Sequence, residues 1–210
     1  MVRRRWHGVA CVACVCLSLF GALDATSAEL SHDSIEAIWK PQRVMFAYRS
    51  EGRTYSCDIL EHKIVMILRR LGARDGLEVR RVTCRDLARQ ARFAVLLESP
   101  IAATDENIRV VTQYDSKDEL IARVSNVDLP SAADLERFPA VWESVSFRRD
   151  HNLHLEAGDC ALVQQLRRQV LPKMSVKVTK DIGGMDCSQE LAGIAAPRLV
   201  VLALVKTFDQ

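Results

Sequence analysis

Apolar residues recur every three or four positions after Cys57, which predicts an amphipathic helix over 57–71. Gly72 follows at the position of a C-terminal cap. A second stretch with the same period predicts a helix over 160–171, which Pro172 ends. The expected inward stripe of the first helix is Leu60, Ile64, Ile67, Leu68 and Leu71.

Shorter apolar or alternating runs predict strands between and around these helices. Leu199 to Val205 is almost wholly apolar, so we expect a central strand there that is buried on both sides or lies at a subunit contact. The segment that joins the two helical regions predicts a strand at 108–113, a helix at 116–124 and a helix from Ser131 to Pro139. The other predicted strands are 43–48, 53–56, 77–84, 92–98, 145–147, 153–155 and 175–178.

The cysteine spacing repeats along the chain. Cys57 and Cys84 are 27 residues apart, and so are Cys160 and Cys187. Four cysteines allow three pairings, and the repeated spacing favours Cys57–Cys84 with Cys160–Cys187. A zinc site made of four such distant cysteines is the alternative.

The elements around each cysteine pair also follow one order, which predicts an internal duplication. The two helix faces differ by about one residue, since Lys63 aligns with Leu166. We expect an α+β fold of two β-α-β-β-like units, each with a helix packed on a mostly antiparallel sheet. The predicted organisation is a first unit at 29–98, a connecting segment at 99–141 and a second unit at 142–210.

The first 28 residues predict a signal peptide. Arg3 to Arg5 form a basic start, Val9 to Phe20 is uncharged and apolar, and small residues precede a cleavage site after Ala28. A run of 12 residues is too short to span a bilayer. The alternatives are a lipoprotein acylated at Cys14 and a twin-arginine signal. We expect a periplasmic or secreted protein with no transmembrane segment in its mature chain.

Charge and composition exclude several classes of protein. Hydrophobic residues make up 49% of the chain, too many for a disordered protein. The chain has 29 basic and 27 acidic residues; removing three and one with the signal peptide leaves 26 of each. A mature chain without net charge is neither a polycation nor an acidic tail.

Two motifs carry a resemblance. Tyr55-Ser56-Cys57-Asp58, with Leu71-Gly72-Ala73-Arg74 after it, is similar to an uncharacterised family of exported proteobacterial proteins that carry two cysteine pairs. Gly158-Asp159-Cys160, with Val170-Leu171-Pro172 after it, extends the resemblance over most of the mature chain. The resemblance implies export and no particular chemistry.

Arginines are dense between positions 69 and 92, where only three acidic residues oppose them. One interpretation is a solvated face that pairs with acidic residues of the connecting segment. The other is a site for an anionic partner such as lipid head groups, polysaccharide or an acidic protein. Few aromatic residues lie nearby, so nucleic acid is not expected. The candidates are Arg69, Arg70, Arg74, Arg80, Arg81, Arg85 and Arg89, with Arg92 at the end of the segment.

His151, His154 and Asp159 are the candidate metal ligands, because an H-x-x-H spacing can bind zinc or copper if the backbone turns. The alternative to metal binding is that both histidines are simply exposed residues of a loop or strand. Asp58 and His62 share a helix face with Glu61 nearby, as a metal or acid–base pair would. Acidic residues also favour helix N-termini without any chemical role.

No catalytic motif is present in the sequence. We find no G-x-S-x-G elbow, Walker A loop, G-x-G-x-x-G or H-E-x-x-H. The leading hypothesis is an exported, non-catalytic binding or interaction protein without a cofactor, stabilised by two disulfides. The alternative is a periplasmic metal-binding protein that uses His151 and His154. A hydrolase with an unrecognised motif is the third, and it predicts a deep pocket that joins histidine and carboxylate.

Overall fold

A computed structural model describes residues 34–49, 54–85, 87–181 and 197–207. Its first half contains strands β1 (Ile35–Arg49), β2 (Tyr55–Ser56), β3 (Glu78–Thr83), β4 (Leu87–Ala88) and β5 (Gln90–Ala102), with helix α1 (Cys57–Arg70). The second half contains β6 (Arg137–Ser146), α4 (Cys160–Gln169), β7 (Val176–Asp181) and β8 (Leu199–Lys206). Helices α2 (Asp105–Thr112) and α3 (Ser116–Ser125) lie between the halves.

Six strands form one antiparallel sheet in the order β3-β5-β1-β6-β8-β7, and β2 pairs with β4 separately. The α+β fold of helices packed on an antiparallel sheet is therefore confirmed. In each half a strand leads to a helix and then to two strands, and the last strand lies between the other two. The halves join where β1 pairs with β6 at Ile35–Ile38. Their origin by duplication stays a prediction.

The main core lies between the sheet and helices α1 and α4. The predicted stripe of α1 is buried from Leu60 to Leu71, and Leu162, Val163 and Leu166 are buried on α4. A smaller cluster at the junction of the halves contains Ala37, Phe138, Ala140 and Leu204. Burial of apolar surface on both helices supplies the main driving force for this arrangement.

The junction leaves part of β1 without a strand neighbour, because β1 and β6 overlap over only four residue pairs. Helix α4 occupies this edge through two glutamines. The Gln169 amide accepts from Ala47 N–H and donates to Ala47 C=O, both at 2.8 Å. Gln165 makes the same two bonds with Arg49. The side-chain amides thus replace the backbone of a missing strand.

Three local predictions were wrong. The strand at 108–113 lies in helix α2, which Thr104 caps by accepting from Asn107 N–H. The helix at 131–139 is a turn, because the Asp134 carboxylate accepts from Ser131 N–H at 2.9 Å, and β6 then begins. The strand at 153–155 is a short 3₁₀ helix, His151–Leu153, followed by His154 with φ of +41°.

Candidate functional site

The first pair of cysteines is bonded as the repeated spacing predicts. Cys57 and Cys84 form a disulfide that ties the start of α1 to the end of β3, with 6.0 Å between the Cα atoms. Cys160, the first residue of α4, is also disulfide-bonded. Cys187 lies outside the described residues, so the Cys160–Cys187 pairing stays a prediction.

The structure divides the predicted arginine cluster into paired and unpaired residues. Hydrogen-bonded carboxylates raise the pKa of Arg70, Arg74, Arg80 and Arg81 above its ordinary value, and the bond to a carboxylate is the largest cause each time. The pairs are Arg70 with Glu143 and Asp150, Arg74 with Glu98 and Glu136, Arg80 with Glu78, and Arg81 with Asp58 and Glu61.

Only one of these partners belongs to the acidic connecting segment, namely Glu136. Lys206 donates to Glu136 at 2.8 Å, and this bond is the largest cause of the lowered pKa of that carboxyl. The Glu78 carboxyl also has a lowered pKa, because Arg80 donates to it. The paired arginines therefore stabilise the fold locally and have little charge to offer a partner.

The other candidates, Arg69, Arg85, Arg89 and Arg92, form no ion pair within the described residues. Arg69 lies in the last turn of α1, and Arg85 and Arg89 flank β4. Arg92 lies in β5 and is exposed. Three of these four arginines, Arg85, Arg89 and Arg92, thus lie in or beside the β3–β5 hairpin.

The strand register adds arginines that sequence proximity does not reveal. Arg92 pairs with Ala47 of β1, which lies two residues from Arg49. Alternation along β1 places Arg43 and Arg49 on the same side of the sheet as Arg92. Arg80 of β3 lies opposite Ala94 and belongs to this side as well. We call Arg43, Arg49, Arg80 and Arg92 the basic sheet face.

All four residues of the basic sheet face are exposed. Within the described residues Arg43, Arg49 and Arg92 have no acidic partner, whereas Glu78 binds Arg80. Adjacent strands lie about 4.8 Å apart, so Arg92 of β5 is close to Arg49, whereas Arg43 lies six residues from Arg49, about 20 Å along β1. The Debye length is about 10 Å at 0.1 M salt, so Arg49 and Arg92 act on one anionic group together, and Arg43 is placed to bind a second group of an extended anion.

The predicted metal ligands do not share one site. His151 and His154 are exposed, whereas Asp159 is buried and its carboxylate is hydrogen-bonded elsewhere. Within the described residues no three His, Cys, Asp or Glu side chains converge as metal ligands would. Metal binding by His151 and His154 stays a prediction.

The trio on the first turns of α1 is also separated. Asp58 and Glu61 both accept hydrogen bonds from Arg81, with 2.7 Å between Arg81 Nε and Glu61 Oε2. His62 is exposed and makes no recorded contact with either carboxylate. Asp58 and Glu61 therefore connect α1 to β3 through Arg81, which is a structural role for acidic residues at the start of a helix.

The sequence missed a buried polar cluster of Tyr55, Lys63 and Asp159. Lys63 Nζ lies 2.7 Å from Asp159 Oδ2, and the Tyr55 hydroxyl donates to Asp159 Oδ1. Glu156 N–H donates to Oδ2 at 2.7 Å, so the carboxylate has three donors. Asp159 directly precedes α4, but its side chain makes no capping bond there. The available signal was Lys63 itself, which falls within the apolar stripe of α1.

Two open clefts lie away from the basic sheet face. One, of about 610 Å³, lies between α2, α3 and the loop around Leu129. The other, of about 450 Å³, lies beside Trp39 and the end of α1. Neither is lined by a histidine, so neither joins histidine to carboxylate as the hydrolase hypothesis predicts.

The sequence matches no family model, and no curated protein or solved structure is significantly similar to it. The resemblance to exported proteobacterial proteins stays a prediction. No helix among the described residues combines the length and the apolar character that crossing a membrane requires.

Proposed function

We propose that this chain is an exported, non-catalytic binding protein that recognises an anionic partner through the basic sheet face. The observation that carries the proposal is that Arg43, Arg49 and Arg92 are exposed on one side of two paired strands, β1 and β5, without an ion pair among the described residues. The export pattern at 1–28 and the Cys57–Cys84 disulfide support a place outside the cytoplasm, where disulfides persist.

The physical basis is uncompensated like charge. Three guanidinium groups on neighbouring strands repel one another in the free protein, and an anion that contacts all three removes this repulsion. Guanidinium groups also bind phosphate, sulfate and carboxylate oxygens through two parallel hydrogen bonds. The rigid β1–β5 pairing, continuous from Ala37 to Arg49, holds Arg43 and Arg49 at a fixed spacing. Affinity should therefore fall steeply as salt concentration rises.

The test measures binding of the oxidised protein to dextran sulfate at several salt concentrations. The combined substitution Arg43→Gln, Arg49→Gln and Arg92→Gln should weaken binding by tenfold or more and reduce its salt dependence. The matched control removes the same charge from three other exposed arginines, Arg123→Gln, Arg148→Gln and Arg168→Gln. We expect the control to change affinity less than threefold. Equal losses in both variants would mean that only net charge matters, and the proposal would be wrong.

A further inference from the structure

Apolar side chains are exposed among the arginines of the basic sheet face. Met45 is 52% exposed and pairs with Ala94, whose other neighbour is Arg80. Val82 is also 52% exposed and follows Arg80 by two residues on β3. Val82 is the extra residue where the register of β3 shifts, between Arg81 opposite Phe93 and Thr83 opposite Arg92 of the basic sheet face. The surface therefore presents apolar and cationic groups together.

These apolar groups distinguish among anionic partners. A hydrated acidic polysaccharide offers nothing for Met45 or Val82 to be buried against. A protein partner usually needs exposed aromatic anchors. The aromatic residue on this side of β1, β3 and β5 is Trp39, whose ring already contacts Phe138, Arg74 and Lys206. The interface of an anionic bilayer offers both phosphate oxygens and an apolar boundary, and it needs no matching shape.

We infer that the anionic partner is the surface of a phospholipid bilayer, an inference that rests on the function proposed above. Arg43, Arg49 and Arg92 contact lipid phosphates, while Met45 and Val82 enter the boundary between head groups and acyl chains. Each basic side chain near an anionic membrane strengthens binding about fivefold. The protein then lies flat on the membrane, with the sheet parallel to its plane.

The experiment measures co-sedimentation of the oxidised protein with two kinds of vesicle, one of phosphatidylcholine alone and one with phosphatidylglycerol added. Binding to dextran sulfate is measured in parallel. The substitutions Met45→Ser and Val82→Thr together remove apolar surface but no charge. Their matched control is Leu120→Ser with Val124→Thr, an exposed apolar pair on α3.

The protein should sediment with the phosphatidylglycerol vesicles and far less with phosphatidylcholine alone. The Met45→Ser and Val82→Thr variant should bind these vesicles about fivefold more weakly, because less apolar surface is buried. Its affinity for dextran sulfate should be unchanged, and the α3 control should match the unmodified protein in both assays.

The possible outcomes distinguish the membrane inference from the proposed function on which it rests. Binding to dextran sulfate without binding to either vesicle would overturn the membrane inference and leave the anionic partner in place. Unchanged vesicle binding after Met45→Ser and Val82→Thr would also overturn it. Binding to neither probe would overturn both proposals.

Discussion

Lys63 Nζ and Asp159 Oδ2 lie 2.7 Å apart in a buried contact between the two halves of the chain. Lys63 comes from the middle of α1, and Asp159 directly precedes Cys160 at the start of α4. Lys63 Nζ also donates to the His154 carbonyl oxygen at 3.3 Å. The pair thus connects the first helix to the segment that leads into the second.

Replacing one member of this pair should cost much more than replacing an exposed charge. Asp159→Asn leaves the Lys63 ammonium buried without its counter-charge and turns an amide N–H₂ toward existing donors. Loss of one partner from a buried ion pair costs about 3–5 kcal/mol. The free energy of unfolding, measured by chemical denaturation, should be lower by about this amount.

The matched control for this prediction is Asp128→Asn, an exposed position with no recorded ion pair. We expect it to change the free energy of unfolding by less than about 0.5 kcal/mol. Combining Lys63→Met with Asp159→Asn should cost less than the sum of the single changes, because neither charge is then left alone. Additive single effects would show that the pair does not act as a unit.

The Cys57–Cys84 disulfide should contribute a large share of stability. It closes a separation of 27 residues, for which the chain-entropy model gives about 3.5 kcal/mol. The double substitution Cys57→Ser and Cys84→Ser should lower the free energy of unfolding by about this amount. Urea denaturation of the variant and the parent under oxidising conditions measures the difference.

The first helix shows how much of the fold the sequence could predict. Its start at Cys57 and its buried stripe were both visible, because each depends on residues within one or two turns. The burial of Lys63 and its ion-pair partner could not be predicted in the same way. Its partner lies 96 residues away, and only the packing of the two halves brings them together.

The basic sheet face was predictable only in part. The density of arginines between 69 and 92 was evident, but which of them had acidic partners depended on tertiary contacts such as Arg70 with Glu143. Arg43 and Arg49 were missed because they precede the cluster by 26 and 20 residues in the sequence. The pairing of β1 with β5 places them beside Arg92.

The glutamines of α4 give a prediction with a definite pH dependence. In Gln169→Glu the introduced carboxylate can accept from Ala47 N–H but repels the Ala47 carbonyl oxygen. This repulsion disfavours the charged form, so the pKa of the introduced carboxyl is raised in the folded state. Stability should then be lost as the pH rises through that raised pKa. At pH 7 we expect a loss of about 1–3 kcal/mol.

Thermal denaturation at several pH values measures this effect. Between pH 7 and about pH 4 the variant should recover part of its lost stability, since the protonated carboxyl can donate to Ala47 C=O. Gln169→Ala is the control, because it removes both bonds without adding a titrating group. A penalty that does not change with pH in Gln169→Glu would contradict the proposed edge contact.

Gly72 should tolerate no side chain, for two independent reasons. Its φ is +93°, a region that disfavours residues with a Cβ, and an added Cβ would collide with the Leu204 carbonyl oxygen of β8. Gly72→Ala forces α1 and β8 apart in the core, so we expect a loss of about 2–4 kcal/mol, beyond the cost of the backbone conformation alone. Chemical denaturation measures the loss.

Gly76→Ala is the matched control four residues on, where nothing lies within 4 Å of an added Cβ. It should be neutral or slightly stabilising through the unfolded chain. Equal effects at both positions would show that the approach of β8 to Gly72 does not limit the packing of α1.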